Sequence, residues 1–123
     1  MQDEDFRELI DESIDTLPKE FLEKLENVSV TFSDWPTPFQ LSKLRKRGQG
    51  GFLLGLYEGI PQTKRRNYGV GGTLPDKITI FKFPLLTISK DIESLKQNVK
   101  NTVIHEIAHH FGMNEEEIRK RGK

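Results

Sequence analysis

The sequence predicts an α+β fold, a small mixed β-sheet packed against helices with a long helix near the C-terminus. Three observations point there. Apolar residues recur at helical spacing near both ends of the chain, three short strand-like runs lie between them, and the pentapeptide HEIAH falls inside the later helical pattern.

The elements follow in order. Phe6, Leu9, Ile10, Ile14 and Leu17 keep a helical period, so a first amphipathic helix is expected from Asp3 to Leu17. Pro18 suits the first turn of a second, short helix carrying Phe21, Leu22 and Leu25. VSVTFS, from Val28 to Ser33, alternates as a strand does, and DWPTPFQ after it is turn-rich. GFLLGLYEGI, from Gly51 to Ile60, reads as a second strand, followed by the glycine-rich NYGVGGTLPD. KITIFKF, from Lys77 to Phe83, reads as a third. Ile78, Ile80 and Lys82 would share the face opposite Thr79, Phe81 and Phe83, and Pro84 would stop the strand. A long helix then starts near Ser89 or Asp91, either of which can cap it, with Ile92, Leu95, Val99 and Val103 as its core stripe. Gly112 is placed to end that helix in a left-handed conformation. Asn114 can cap a final short helix, with Glu117 at the capping-box position.

Composition narrows the function classes. With 123 residues, 34% hydrophobic and 31% charged, the chain suits one domain, residues 1–123, with a modest core. Its formal net charge of zero provides no global attraction to nucleic acid or anionic membrane. The absence of cysteine excludes disulfides and thiolate metal sites. No apolar run approaches a membrane span, and the acidic start MQDEDF lacks a signal peptide's basic and apolar regions, so a cytoplasmic location is expected.

The chemistry concentrates in HEIAHHFGMNEEE. One helical turn separates His105 from His109, about 40° apart in azimuth, so their imidazoles can converge on one ion. Both lie away from the Val99–Val103 stripe and should face a cleft. Glu106 is about 100° round from His105, poorly placed to share its ligand position but able to act as a general base on water at the metal. A third ligand is needed. Only fourteen residues follow His109, too few for a second full helix to return with one. In HExxHxxGxxH sites a glycine turns the chain so that the sixth residue after the second histidine returns to the metal. Here the glycine is Gly112 and the sixth residue is Glu115, an acceptable ligand for a His₂Glu zinc site. Glu116 competes for that role. Acids in a first helical turn are favoured by the macrodipole whatever their function, which suffices to account for Glu117. His110 lies about 140° from His105, in line with Val99 and Val103, and is expected to be a buried neutral histidine.

The remaining features have modest readings. Leu53, Leu54 and Leu56 suit sheet packing. Tyr57 carries a hydroxyl that could polarise a scissile carbonyl, but a tyrosine at a strand end ordinarily packs with its hydroxyl at the surface. Gly69, Gly71 and Gly72 show no phosphate-loop spacing. Two basic clusters, Lys43–Arg45–Lys46–Arg47 and Lys64–Arg65–Arg66, suit a solvated surface balancing the acidic first helix, with an RNA-facing patch as the sharper alternative.

HEIAHHFGMNEEEI, preceded by LLGLYEGIPQTKR and LPDKITIFKFPL, resembles the small bacterial zincin-like metallopeptidases, or minimal zincins. The resemblance implies a minimal zincin-like fold and one Zn²⁺ per chain. By it, His105 and His109 match the zinc-binding histidines, Glu106 the catalytic glutamate and Glu115 the acidic third-ligand position, where the family usually carries aspartate. It implies a zinc peptidase; the expected partner is a peptide or protein substrate in extended conformation, which an edge strand beside the site could hold by adding it to the sheet, with no membrane and with nucleic acid disfavoured by the zero net charge. Two alternatives stand beside it. One is a metal-bound protein that binds partners without turnover. The other is an endoribonuclease resembling the ribosomal-RNA maturation family, whose motif has three histidines and no glutamate after the first.

Overall fold

A computed structural model describes residues 1–46, 53–59 and 75–112, with side chains through residue 42 in the first segment. Its elements, in chain order, are α1 (Asp3–Asp15), α2 (Lys19–Lys24), β1 (Val28–Ser33), α3 (Pro38–Lys46), β2 (Gly55–Glu58), β3 (Asp76–Phe81), α4 (Lys82–Ile88) and α5 (Ile92–His110). The mixed α+β architecture is the one expected. No helix among the described residues is long and apolar enough to cross a membrane.

The acidic first turn of α1, Asp3, Glu4 and Asp5, complements the positive end of its dipole, and Phe6, Leu9 and Ile10 form its buried face. Pro18 precedes α2 at the N-cap, and Phe21 is the residue that α2 buries. Among the described residues the sheet has the order β1-β3-β2, with β1 and β2 at its edges. β1 runs parallel to β3, from Val28 opposite Asp76 to Ser33 opposite Phe81, and β2 runs antiparallel to β3, from Gly55 opposite Ile80 to Glu58 opposite Lys77.

As the central strand, β3 is covered on both faces. Ile78 and Ile80 join the main core with Phe6, Ile10, Phe21, Leu95, Val99, Val103 and Ile107, while Phe81 packs with Leu53 and Leu56 on the other side. Burial therefore runs unbroken from Ile78 to Phe81 instead of alternating.

The structure departs from the sequence expectations in several places. The second strand is confined to Gly55–Glu58, and α3 begins within the turn-rich stretch. β3 stops at Phe81, and the chain passes straight into α4, with Phe81 as its N-cap residue. Pro84 is thus not a strand terminator. It occupies the first turn of α4, where a backbone N–H would have no intrahelical acceptor. Lys82, expected on a strand face, is buried in α4 with its Nζ 2.8 Å from Oδ1 of Asp3. Asp91 is the residue that caps α5: its carboxylate accepts from the Ser94 N–H (2.8 Å), and the Ser94 hydroxyl accepts from the Asp91 N–H (3.1 Å). Leu95, Val99 and Val103 form the buried stripe, but Ile92 is 50% exposed because it precedes the turn that meets the core.

Candidate metal and peptidase site

The last six residues of α5, from His105 to His110, present two pairs spaced by four. His105 and His109 make one. Glu106 and His110 make the other, about 100° round the helix. The pairs have different surroundings: His105 and His109 are exposed, whereas Glu106 is only 7% exposed.

His105 is oriented from within its own helix, its Nδ1 lying 2.8 Å from the carbonyl oxygen of Asn101. A carbonyl only accepts, so Nδ1 carries the proton, and a neutral ring keeps its lone pair on Nε2. This is the tautomer a metal-binding histidine needs when its other nitrogen donates to a carbonyl. The C-terminal turn also takes the form expected. Gly112 has φ 68°, and its N–H lies 3.3 Å from the carbonyl oxygen of His109.

Glu106 is held from the sheet. Oε1 accepts the backbone N–H of Tyr57 at 2.8 Å. The two elements can approach this closely because residue 55 is glycine: a Cβ there would stand 2.5 Å from Cγ2 of Thr102 and 3.2 Å from the carbonyl oxygen of Thr79. Gly55 and Thr102 are not visible as site-forming residues in the sequence. The only available signal is a glycine inside an otherwise apolar strand, which can mark a close backbone approach.

Tyr57, Glu106, His109 and His110 line a concavity of about 290 Å³. His110 is not the buried core histidine expected. Its side chain is 39% exposed, and its ring stacks on Tyr57 with centroids 3.9 Å apart and planes inclined by 13°. The helix turns this residue past the Val103 stripe toward β2, where Tyr57 meets it. The Tyr57 hydroxyl does not reach toward solvent. It donates to Oδ2 of Asp76 on β3 at 2.7 Å, and His110 Nε2 lies 4.0 Å from that same oxygen.

Among the described residues, no three His, Asp or Glu side chains gather to hold a metal. His105 and His109 provide two nitrogen donors on adjacent turns, and Glu106 adds a buried carboxylate beside them. That donor chemistry fits a zinc site awaiting one more ligand. The candidates for that ligand, Glu115 and Glu116, lie outside the described residues, as do Asn114, Glu117, Gly69, Gly71, Gly72 and the side chains of both basic clusters.

A conserved hypothetical protein of Thermus thermophilus has a similar fold, with a TM-score of 0.53 at 22% identity over 90% of this chain and 94% of that one. A search of curated proteins gave no match. Residues 25–123 match the zincin-like metallopeptidase family model, a stretch running from the end of α2 through β1, the sheet and HEIAH to the last residue. The chain belongs to the zincin-like metallopeptidase family.

Proposed function

We propose that this chain hydrolyses peptide bonds with one bound zinc ion, held by His105, His109 and Glu115, and with Glu106 as general base. The observation that carries the reading is the placement of Glu106, a buried carboxylate fixed by the Tyr57 N–H on the wall of the concavity that His109 also lines. Members of this family generally bind zinc. When bound, zinc supplies Lewis-acid activation of the scissile carbonyl and of water. Glu106 takes the proton of the attacking water as the new C–O bond forms, then passes it to the leaving amine as the C–N bond breaks. The Tyr57 N–H donates to the Glu106 carboxyl and fixes its orientation.

The substrate we assign is an extended peptide added to the sheet at β2, the edge strand on the site's side. Glu106 already occupies the outward N–H of Tyr57, so the added chain draws its main-chain hydrogen bonds from other positions along that edge.

Glu106→Gln tests the reading, because glutamine keeps an acceptor oxygen for the Tyr57 N–H. Zinc content should equal that of the wild type, while cleavage of a broad peptide library should fall by at least about a hundredfold, the lower end for lost general-base catalysis. Equal residual cleavage in both proteins would indicate a contaminating protease and favour the partner-binding alternative. A zinc-free wild type would remove the reading altogether.

A further inference from the structure

We propose that Tyr57 and His110 form a positioning clamp that sets the ligand face of α5 against the edge strand, with Asp76 fixing the clamp from the neighbouring strand. The inference rests on the zinc-peptidase reading for its purpose, but the clamp itself is metal-independent.

Its geometry is a two-point grip. Glu106 and His110 are four residues apart and share one helix face. Both meet the same residue: the Tyr57 backbone N–H donates to Glu106, and the Tyr57 ring stacks on His110. Two contacts a helical turn apart restrain the roll of this end of α5 more closely than either would, in addition to the core packing of Ile104 and Ile107. The Tyr57 ring is itself held at its far end, where the hydroxyl donates to Asp76 on β3. Asp76 pairs through β3 with Val28 of β1, so the grip is anchored in the sheet and not in a loop. Gly59 lies alongside. A Cβ at that position would stand 3.8 Å from Oδ1 of Asp76 and 4.0 Å from Cε1 of His110, in ordinary contact with both.

The adjoining face carries His105 and His109 at the same spacing. Restraining the roll therefore holds the azimuth of both imidazoles, and the position of Glu106 relative to them. His110 acts here as a flat ring, not as a ligand or a proton carrier. That separates the clamp from any role the ring nitrogens could play.

Two measurements test it, on the full-length chain with His110→Ala, His110→Phe and Tyr57→Leu. The first uses metal-free protein and reads amide hydrogen exchange. In His110→Ala and Tyr57→Leu the amide of residue 57 should exchange at least about tenfold faster than in the wild type. Amides of the first half of α5, around Leu95 and Val99, should be unchanged, since local opening is confined to the gripped end. The second reads zinc affinity by competition with a chromogenic chelator. His110→Ala and Tyr57→Leu should each weaken binding about tenfold, in the range of lost supporting contacts around a metal site. The double variant should be no weaker than either single one, because both changes break the same stack. His110→Phe, which keeps a flat ring and removes both nitrogens, should stay within about threefold of the wild type in both measurements. Phenylalanine as damaging as alanine would overturn the clamp in favour of a role for the nitrogens. Unchanged exchange in His110→Ala would overturn it outright. Faster exchange in a protein whose wild type binds no zinc would uphold the clamp and remove only the zinc reading.

Discussion

Replacing Gly55 with alanine puts a methyl group 2.5 Å from Cγ2 of Thr102 and 3.2 Å from the carbonyl oxygen of Thr79. Carbon atoms pack at about 3.5–4.0 Å, so β2 and α5 must separate by roughly 1 Å or Thr102 must turn away. Thr102 is not free to turn, since its hydroxyl donates to the carbonyl of Asn98 at 2.7 Å and its side chain is branched at Cβ. The separation falls on the Tyr57 N–H···Glu106 bond, which at 2.8 Å would be stretched beyond useful length. Overpacking of this kind costs about 1–3 kcal/mol. A hydrogen bond to a charged group contributes about 1.5–3 kcal/mol. The smaller unfolded-state entropy of alanine returns about 0.4–1 kcal/mol. Gly55→Ala should therefore destabilise the protein by about 1.5–5.5 kcal/mol, read as a lower urea midpoint at unchanged slope. Thr102→Ser removes the clashing methyl and keeps the Asn98 bond, so the double variant should recover at least about 1 kcal/mol beyond additivity. An alanine variant as stable as the wild type, or strictly additive energies, would refute the idea that this contact sets the strand-to-helix distance.

Asp3→Ala should lower stability by about 1 kcal/mol in thermal unfolding, because it leaves the buried Lys82 ammonium without a carboxylate that is itself 69% exposed and already screened. Lys82→Met should be near neutral, since an apolar chain of similar length removes the buried charge as well. In the proposed metal site, His109→Ala should abolish zinc binding, and Glu115→Ala should weaken it strongly while Glu116→Ala and Glu117→Ala leave it nearly intact. A damaging Glu116→Ala would assign the third ligand to that neighbour, and Glu115→Asp should be mild. Lys96 has its pKa raised from 10.5, first by its hydrogen bond to Glu12 and then by that carboxylate's charge. The contribution of this α1–α5 pair is present while Lys96 is protonated and is lost as pH rises through the raised value. Glu12→Gln should then flatten the loss of stability above about pH 10 and change little at neutrality.

Local rules make some elements readable and leave others hidden. β1 is legible to the residue because six alternating residues end at a turn. The capped start of α5 is legible because Asp91 and Ser94 carry the cap in their own side chains. α4 is hidden because KITIFKFP offers a strand pattern running into a proline, and only tertiary structure decides that Lys82 turns inward to Asp3 and that Pro84 begins a helix. The site divides along the same line. His105, Glu106, His109 and Gly112 follow from spacing on one helix, a purely local property. Tyr57, Asp76 and Gly55 enter through strand register and the packing of β2 on α5, with sequence separations that no local pattern encodes.

The misplacement of His110 shows how far azimuth alone can carry an argument. About 140° from His105 puts it in line with Val99 and Val103, and on an isolated helix that line is the buried one. Burial, however, depends on what lies opposite each turn. Val99 and Val103 face the main core, but by the last turn of α5 the opposing surface is the edge strand at Tyr57. An edge strand covers a helix on one side only, so a ring there is half covered and meets an aromatic partner instead of aliphatic packing. The same geometry explains how a buried Glu106 carboxyl keeps a hydrogen-bond partner. It sits opposite Tyr57, whose N–H points away from β3 because the residues of an antiparallel edge strand alternate between inward and outward donors. A central strand such as β3 has neighbours on both sides, so its N–H groups are directed to them. A glutamate on a helix packed against that strand would find no outward donor of this kind. HEIAH packs on both strands, Ile107 against Ile78 and Ile80 of β3 and Glu106 against the Tyr57 N–H of β2, and the β2 contact is what satisfies the buried carboxylate.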